Sequence, residues 1–206
     1  EFHLDRPVDY FEGYCGRYSD MPLLVRLDEQ DGRLVPGRQL RASDLDGALG
    51  QQNNPAWKTV ALDEASGRLV VPNGSIGFRW GEEGRWNLEQ QAGDAEVRLK
   101  MSLILDEDRD DVVGVDFPYF GGLASNGFAR DDRGEVLTRN VPVKRLKLAD
   151  GSEALVATVF DLFCANYSLD RGLGGANVAK SYDEDVPFTP AWAERIQPLA
   201  QFLAAF

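Results

Sequence analysis

The stretch from Val143 to Tyr167 constrains the fold most. Val143 to Leu148 has the composition of a strand, Asp150-Gly151 is a turn signal, and Ala154 to Thr158 resumes the strand pattern. This predicts an antiparallel hairpin joining 143–148 to 153–158 through a two-residue loop, with Gly151 at positive φ. At Val159 the period changes. Val159, Phe163, Asn166 and Tyr167 recur at intervals of three and four, so Val159 to Leu169 reads as a helix stopped near Gly172. A strand pair running straight into a helix is not a regular βαβ alternation, in which a helix separates each strand from the next.

The remaining segments extend this pattern. Trp57 to Asp63 and Arg68 to Pro72 flank Glu64-Ala65-Ser66-Gly67, a second hairpin signal. Leu23 to Leu27 reads as a strand closed by a Gln30-Asp31-Gly32 turn, and Val97 to Leu105 as a further strand. Val8, Phe11, Tyr14, Cys15 and Tyr18 make 8 to 18 a short amphipathic helix, stopped before Pro22. Arg41 to Leu49 reads as a short helix with Ser43 as its N-cap, followed by a polar loop from Gly50 to Pro55. Thr189-Pro190 opens a last helix whose apolar face is Trp192, Ile196, Leu199 and Leu203, with Pro198 kinking it. Helices at both ends and strands between them give an α+β class.

Charge excludes one large group of functions. The 206 residues carry 22 Lys+Arg against 34 Asp+Glu, a formal net charge of −12, and hold no basic run. Binding to nucleic acid draws its affinity from Lys and Arg at phosphates, so no nucleic acid partner is expected. The densest basic stretch, Lys144, Arg145 and Lys147, reads as the solvated side of a strand. No apolar stretch is long enough for a direct membrane span. The two cysteines, Cys15 and Cys164, read as buried free thiols, with a disulfide as the alternative, and are too few for a Cys₄ zinc site or an iron–sulfur cluster. The single histidine, His3, lies near the chain start and is a poor candidate for triad chemistry.

Three further features are weaker still. Asp106, Glu107, Asp108, Asp110 and Asp111 invite a calcium reading, but an EF-hand loop counted from Asp106 would need Gly and Glu where Asp111 and Phe117 stand. The run reads as a solvated loop. Gly77, Gly81 and Gly84 lack dinucleotide-fingerprint spacing, and Gly121-Gly122 and Gly174-Gly175 read as turns. Trp57, Phe78, Trp80 and Trp86 lie near Asn73 and Asn87, and could stack a sugar ring or simply pack. From residue chemistry the sequence assigns no catalytic residue, no cofactor-binding residue and no metal ligand.

Longer phrases carry more. Asn53 to Glu89 (NNPAWKTVALDEASGRLVVPNGSIGFRWGEEGRWNLE), Tyr14 to Val25 (YCGRYSDMPLLV) and Asp116 to Gly122 (DFPYFGG) resemble the α subunit of respiratory membrane-bound nitrate reductase. So do Val141 to Leu148 (VPVKRLKL), Phe160 to Leu173 (FDLFCANYSLDRGL) and Phe188 to Ile196 (FTPAWAERI), in the same order. After Ile196 the chain departs from the family, which continues with a Thr-Gly-Val phrase.

The resemblance implies a fragment of a much longer subunit that reduces nitrate to nitrite at a molybdenum bis(pyranopterin guanine dinucleotide), beside one [4Fe–4S] cluster. It places those ligands upstream of the matched stretch, so it implies no cofactor in the fragment itself. The fragment is then a β-rich structural module with short flanking helices, inside a larger molybdopterin oxidoreductase fold. Implied partners are the rest of the α subunit, the iron–sulfur β subunit and the membrane haem γ subunit, which hold the enzyme at the cytoplasmic face. Related enzymes carry motifs like Arg17–Asp20 and Thr189–Ile196 close together, whereas about 170 residues part them here. This divides the chain into a flanking helix and connection (1–22), a nitrate-reductase-specific insertion (23–186) and a flanking C-terminal helix (187–206), with the two flanking helices side by side. The alternative is an independent carbohydrate-binding module built on Trp57, Trp80 and Trp86.

Overall fold

A computed structural model describes residues 9–45, 55–72, 90–91, 98–117, 138–166 and 171–174. Helix α1 (Asp9–Tyr18) leads into β1 (Leu24–Gln30) and β2 (Arg33–Gln39). Short strands β3 (Ala61–Leu62), β4 (Leu69–Val70), β5 (Gln90–Gln91) and β6 (Arg98–Leu99) follow. The chain then forms β7 (Asp111–Asp116), β8 (Thr138–Lys147), β9 (Glu153–Thr158) and helix α2 (Val159–Asn166). Five strands make one sheet in the order β2-β1-β9-β8-β7, every neighbouring pair antiparallel; β3 pairs β4, and β5 pairs β6. The class is sheet-rich with few short helices.

Period-2 alternation sorts the core into two sides. On β1, β8 and β9 the even-numbered Leu24, Leu146, Ala154 and Val156 join Leu40, Val60, Leu62 and Leu105 in one cluster. The odd-numbered Val25, Leu27, Val141, Val143 and Ala157 join Val115, Phe117 and, from α2, Leu162 and Ala165 in the other. The sheet is therefore buried on both faces. Its outer strands also meet: Arg33 of β2 donates to Asp116 of β7 at 2.6 Å, and Thr138 bonds the other Asp116 oxygen.

Two hairpins show how turn residues set strand connections. Between β1 and β2, Asp31 and Gly32 both have positive φ, 53° and 75°, the two-residue turn that matches strand twist. The β8–β9 hairpin forms over the predicted residues with Gly151 at φ 85°, but its loop is longer than predicted. Leu148 N–H bonds Ser152 O at 2.8 Å, leaving Ala149, Asp150 and Gly151 as a three-residue loop with one left-handed position. A Cβ on Gly151 would meet nothing within 4 Å, so Gly151→Ala carries only the backbone cost. Urea unfolding should show a loss of about 1–2 kcal/mol.

Other expectations are corrected. Of the expected 41–49 helix, the described residues 41–45 hold one 3₁₀ turn, Ala42–Asp44, with Arg41 rather than Ser43 at its N-cap. Ala42 N–H is drawn to Lys58 O and Ala149 N–H bonds Asp44 O, so the chain leaves extended at Leu45. The 97–105 strand shortens to Arg98–Leu99 plus a bridge from Met101 to Asp63. Ser102 N–H still bonds Leu62 O at 2.8 Å, and beyond it the backbone bonds side chains: Leu103 O accepts from Thr158, and Leu105 N–H donates to Asp161. The Glu64–Gly67 hairpin forms with Gly67 at φ 63°, but its strands shrink from 57–63 and 68–72 to Ala61–Leu62 and Leu69–Val70, and Trp57 lies in a 3₁₀ turn. His3, Phe78, Trp80, Trp86, Gly77, Gly81, Gly84, Gly121, Gly122 and the helix from Thr189 lie outside the described residues.

Candidate functional site

Helix α2 follows β9 without a loop, and this junction holds a buried ion pair, Asp161 with Arg171. The first N–H groups of a helix have no partner within it. Here Val159 N–H donates to Leu23 O and Phe160 N–H to Met21 O, both at 2.9 Å, while Asp161 N–H donates to Thr158 Oγ1 at 2.9 Å. Thr158 is the cap, and the segment entering β1 supplies the other acceptors.

Asp161 sits in the first helical turn, fully buried. Its Oδ2 accepts from Leu105 N–H at 3.2 Å and lies 2.8 Å from Thr158 Oγ1; its Oδ1 accepts from Arg171 Nη1 at 2.5 Å. Arg171 is 8% exposed and extends Nη2 to Asp106 at 2.5 Å. Burial pushes the Asp161 carboxyl above its usual range, opposed by Arg171 and by these hydrogen bonds. For Arg171, desolvation pulls the guanidinium down, but the Asp161 and Asp106 charges outweigh it and leave the group more basic than usual. The node ties four places together: the end of β9, the 103–106 segment, the first turn of α2 and the 171 loop.

Both cysteines are buried and free, as read from the sequence. Burial, the largest cause, pushes the Cys164 thiol up to about 11, and Cys15 shifts upward for the same reason. A thiol so placed is inert, because the thiolate is the reacting species. Alkylation with iodoacetamide near neutral pH should therefore leave Cys164 unmodified in the folded chain and label it in urea; rapid labelling of the native chain would contradict this.

The acidic run is built into the loop ahead of β7. Asp106 pairs with Arg171, Asp110 accepts from Arg145 N–H at 2.7 Å, and Asp111 starts the strand. Asp108 O accepts from Lys144 Nζ at 2.9 Å, so that lysine folds back onto the loop. Among the described residues, no group of three or more His, Cys, Asp or Glu is placed to hold a metal ion. Trp57 ends a 3₁₀ turn, Pro55–Trp57, and is 79% exposed.

A second charged group gathers on Asp44, at the end of the 42–44 turn. Asp44 accepts both arms of Arg38, at 2.5 and 2.7 Å, and the Arg41 N–H at 2.8 Å. The Arg38 hydrogen bond, more than any other cause, holds its carboxyl below the usual range. Arg26 reaches Asp44 only at 3.9 Å. Sequence reasoning missed both charged groups. Thr158-x-x-Asp161 does have the spacing of a capping box before an apolar helix, so half of the first was there to be found. Its partner Arg171 has no local signature.

Comparison with known proteins gives the chain its context. No family model matches it. It is 55% identical over 196 residues to the respiratory nitrate reductase 1 alpha chain of Escherichia coli K12, an alignment spanning 95% of this chain and 16% of that protein. The respiratory nitrate reductase alpha chain of a Bradyrhizobium species is 44% identical, covering 95% of this chain and 18% of its own length. The nitrate reductase alpha chain of Bacillus subtilis is 35% identical, over 95% and 15%. This chain thus corresponds to a small part of each relative, as the phrase resemblance implies. The relatives lend no support to a carbohydrate-binding module.

Proposed function

We propose that this chain is a segment of the catalytic α subunit of a respiratory nitrate reductase, and that it serves there as a structural module outside the reaction centre. The observation that carries the reading is 55% identity over 95% of the chain against only 16% of the relative. The whole subunit performs the two-electron reduction NO₃⁻ + 2H⁺ + 2e⁻ → NO₂⁻ + H₂O. Molybdenum held by two pyranopterin guanine dinucleotides supplies the oxygen-atom chemistry when bound, and a [4Fe–4S] cluster supplies electrons.

The residues of this chain do not fit the iron–sulfur cluster. A cluster needs four ligands, mostly thiolates, and the chain has two Cys and one His. Cys164 is driven toward the thiol form, the reverse of what ligation requires. The chain's own work is to hold the fold of its region, through the two cores and the Asp161–Arg171 node. Its partners are the rest of the α subunit and, through it, the iron–sulfur β subunit and the membrane haem γ subunit at the cytoplasmic face. Among the described residues no helix is long and apolar enough to cross a membrane.

The module reads as an insertion spanning 23–186, entered after a flanking helix and connection (1–22) and left before a C-terminal helix (187–206). Support comes from the entry point: Met21 and Leu23 carbonyls cap α2, so the start of the insertion touches its later part. Insertions are accommodated where their ends lie close together.

The test is expression of the 206-residue chain beside its full reading frame, in a host that makes both cofactors. The expected result is nitrate reduction by the full product, and neither turnover nor stoichiometric molybdenum or iron in the short chain. Metal at stoichiometry in the short chain, or a full product that does not reduce nitrate, overturns the reading.

A further inference from the structure

Trp57 is the most exposed large apolar side chain among the described residues, at 79%. It stands at a corner rich in guanidinium groups. Arg41 donates Nη1 to the Trp57 carbonyl at 3.2 Å, and no carboxylate among the described residues pairs with it. Arg38 and Arg26 share the single carboxylate of Asp44, and Arg38 occupies both of its oxygens. Arg26 is left with a 3.9 Å contact and a buried Nε that has no acceptor among the described residues. Asp28 and Asp150 act on Arg38 and Arg26 only through longer-range charge. In a chain of net charge −12, this corner holds guanidinium groups that the acids among the described residues do not saturate.

We propose that the Trp57–Arg41–Arg38–Arg26 corner is a docking surface, covered in the intact subunit by a carboxylate-bearing segment of the same α subunit that lies outside these 206 residues. The inference rests on the reading of this chain as one segment of that subunit. Trp and Arg are the residue types that dominate binding energy at interfaces, where an indole fills a pocket and the guanidinium pairs with acid. Charge complementarity fixes the chemistry of the occupant, since an acidic segment is repelled by most of this chain and attracted here. Relative length fixes its source. The matched region is 16% of the E. coli protein, so most of that subunit's surface is supplied by residues this chain does not contain.

The test is hydroxyl-radical footprinting of the full-length α subunit, purified without other subunits, with the same protein unfolded in urea as reference. Trp57 should be oxidised about tenfold less in the native subunit than in the unfolded one, as expected for an indole in a water-excluded pocket. Arg41→Glu should restore most of the labelling, and Arg41→Lys should keep the protection. Native labelling close to that of unfolded protein overturns the proposal. Protection that appears only after another subunit is added overturns the choice of occupant, and protection unchanged in Arg41→Glu overturns its acidic chemistry. Nitrate reduction by the same preparation reports separately on the reading beneath: an active subunit with fully labelled Trp57 sinks only this inference.

Discussion

Arg171→Ala should lower the unfolding free energy by about 3–5 kcal/mol, the cost of breaking a buried ion pair by removing one partner. The magnitude comes from what stays behind. Asp161 is fully buried, and without Arg171 its Oδ1 faces low-dielectric surroundings with no counter-charge. Asp106→Ala removes the other arm of the same arginine, but Asp106 is 44% exposed, so that pair should be worth about 1 kcal/mol or less. Arg171→Lys keeps the charge without the fork that spans two carboxylates, and should fall between the two. Urea unfolding followed by circular dichroism measures all three. An Arg171→Ala chain as stable as the parent would mean that the node carries no net stabilisation.

The same variant has a definite pH dependence. Burial raises the Asp161 carboxyl above its unfolded range while Arg171 opposes the shift, so removing Arg171 raises it further. A carboxyl raised in the folded state binds protons that the unfolded chain has released, and stability then falls as pH rises from the unfolded value to the folded one. The penalty of Arg171→Ala should accordingly be full above the raised value and shrink as the pH is lowered toward the usual carboxylate range. Adding Asp161→Asn should remove this pH dependence and recover part of the loss, because an amide oxygen can still accept from Leu105 N–H.

Local chemistry was legible in the sequence wherever neighbours along the chain decide the structure. Asp31-Gly32, Gly67 and Gly151 each adopt the left-handed backbone that their turns demand, and α2 begins at Val159, where the period switches. Failures came where a distant group outbids the local pattern. Ser43 is a good cap in isolation, yet the turn is set by Asp44 gripping Arg38 and by Lys58 O taking the Ala42 N–H. Leu103 to Leu105 keep strand composition but lose the ladder to Thr158 and Asp161, more than fifty residues on. The candidate site followed the same rule. Thr158 and Asp161 share a helical turn and a recognisable spacing, whereas Arg171 and Asp106 reach them only after the chain has folded. The relationship to nitrate reductase α chains was legible for another reason, since it lies in whole phrases and not in the chemistry of any one residue.

Leu24→Ala should cost about 2–5 kcal/mol, the range for truncating a buried leucine, and the surroundings place it toward the upper end. Leu24 is fully buried on β1, between β2 and β9, within the cluster of Leu40, Val60, Leu62, Leu105 and Val156. Along one edge its N–H donates to Val60 O at 2.8 Å and its C=O accepts from Leu40 N–H at 2.7 Å, and along the other it pairs with Thr158 of β9. A strand pinned on both sides cannot sink to fill the void, and unrelaxed cavities are the costly ones. Leu24→Met keeps most of the volume on a flexible side chain and should lose less than about 1.5 kcal/mol. The adjacent Val25 points into the opposite cluster with Leu162 and Ala165, so the damage should be confined to one side of the sheet. Native-state hydrogen exchange can test that confinement: the Leu40 and Val60 amides should exchange faster in Leu24→Ala at denaturant levels where α2 amides keep their protection. Equal loss on both sides would mean that the two clusters unfold as one unit, so that the sheet between them does not insulate one core from the other.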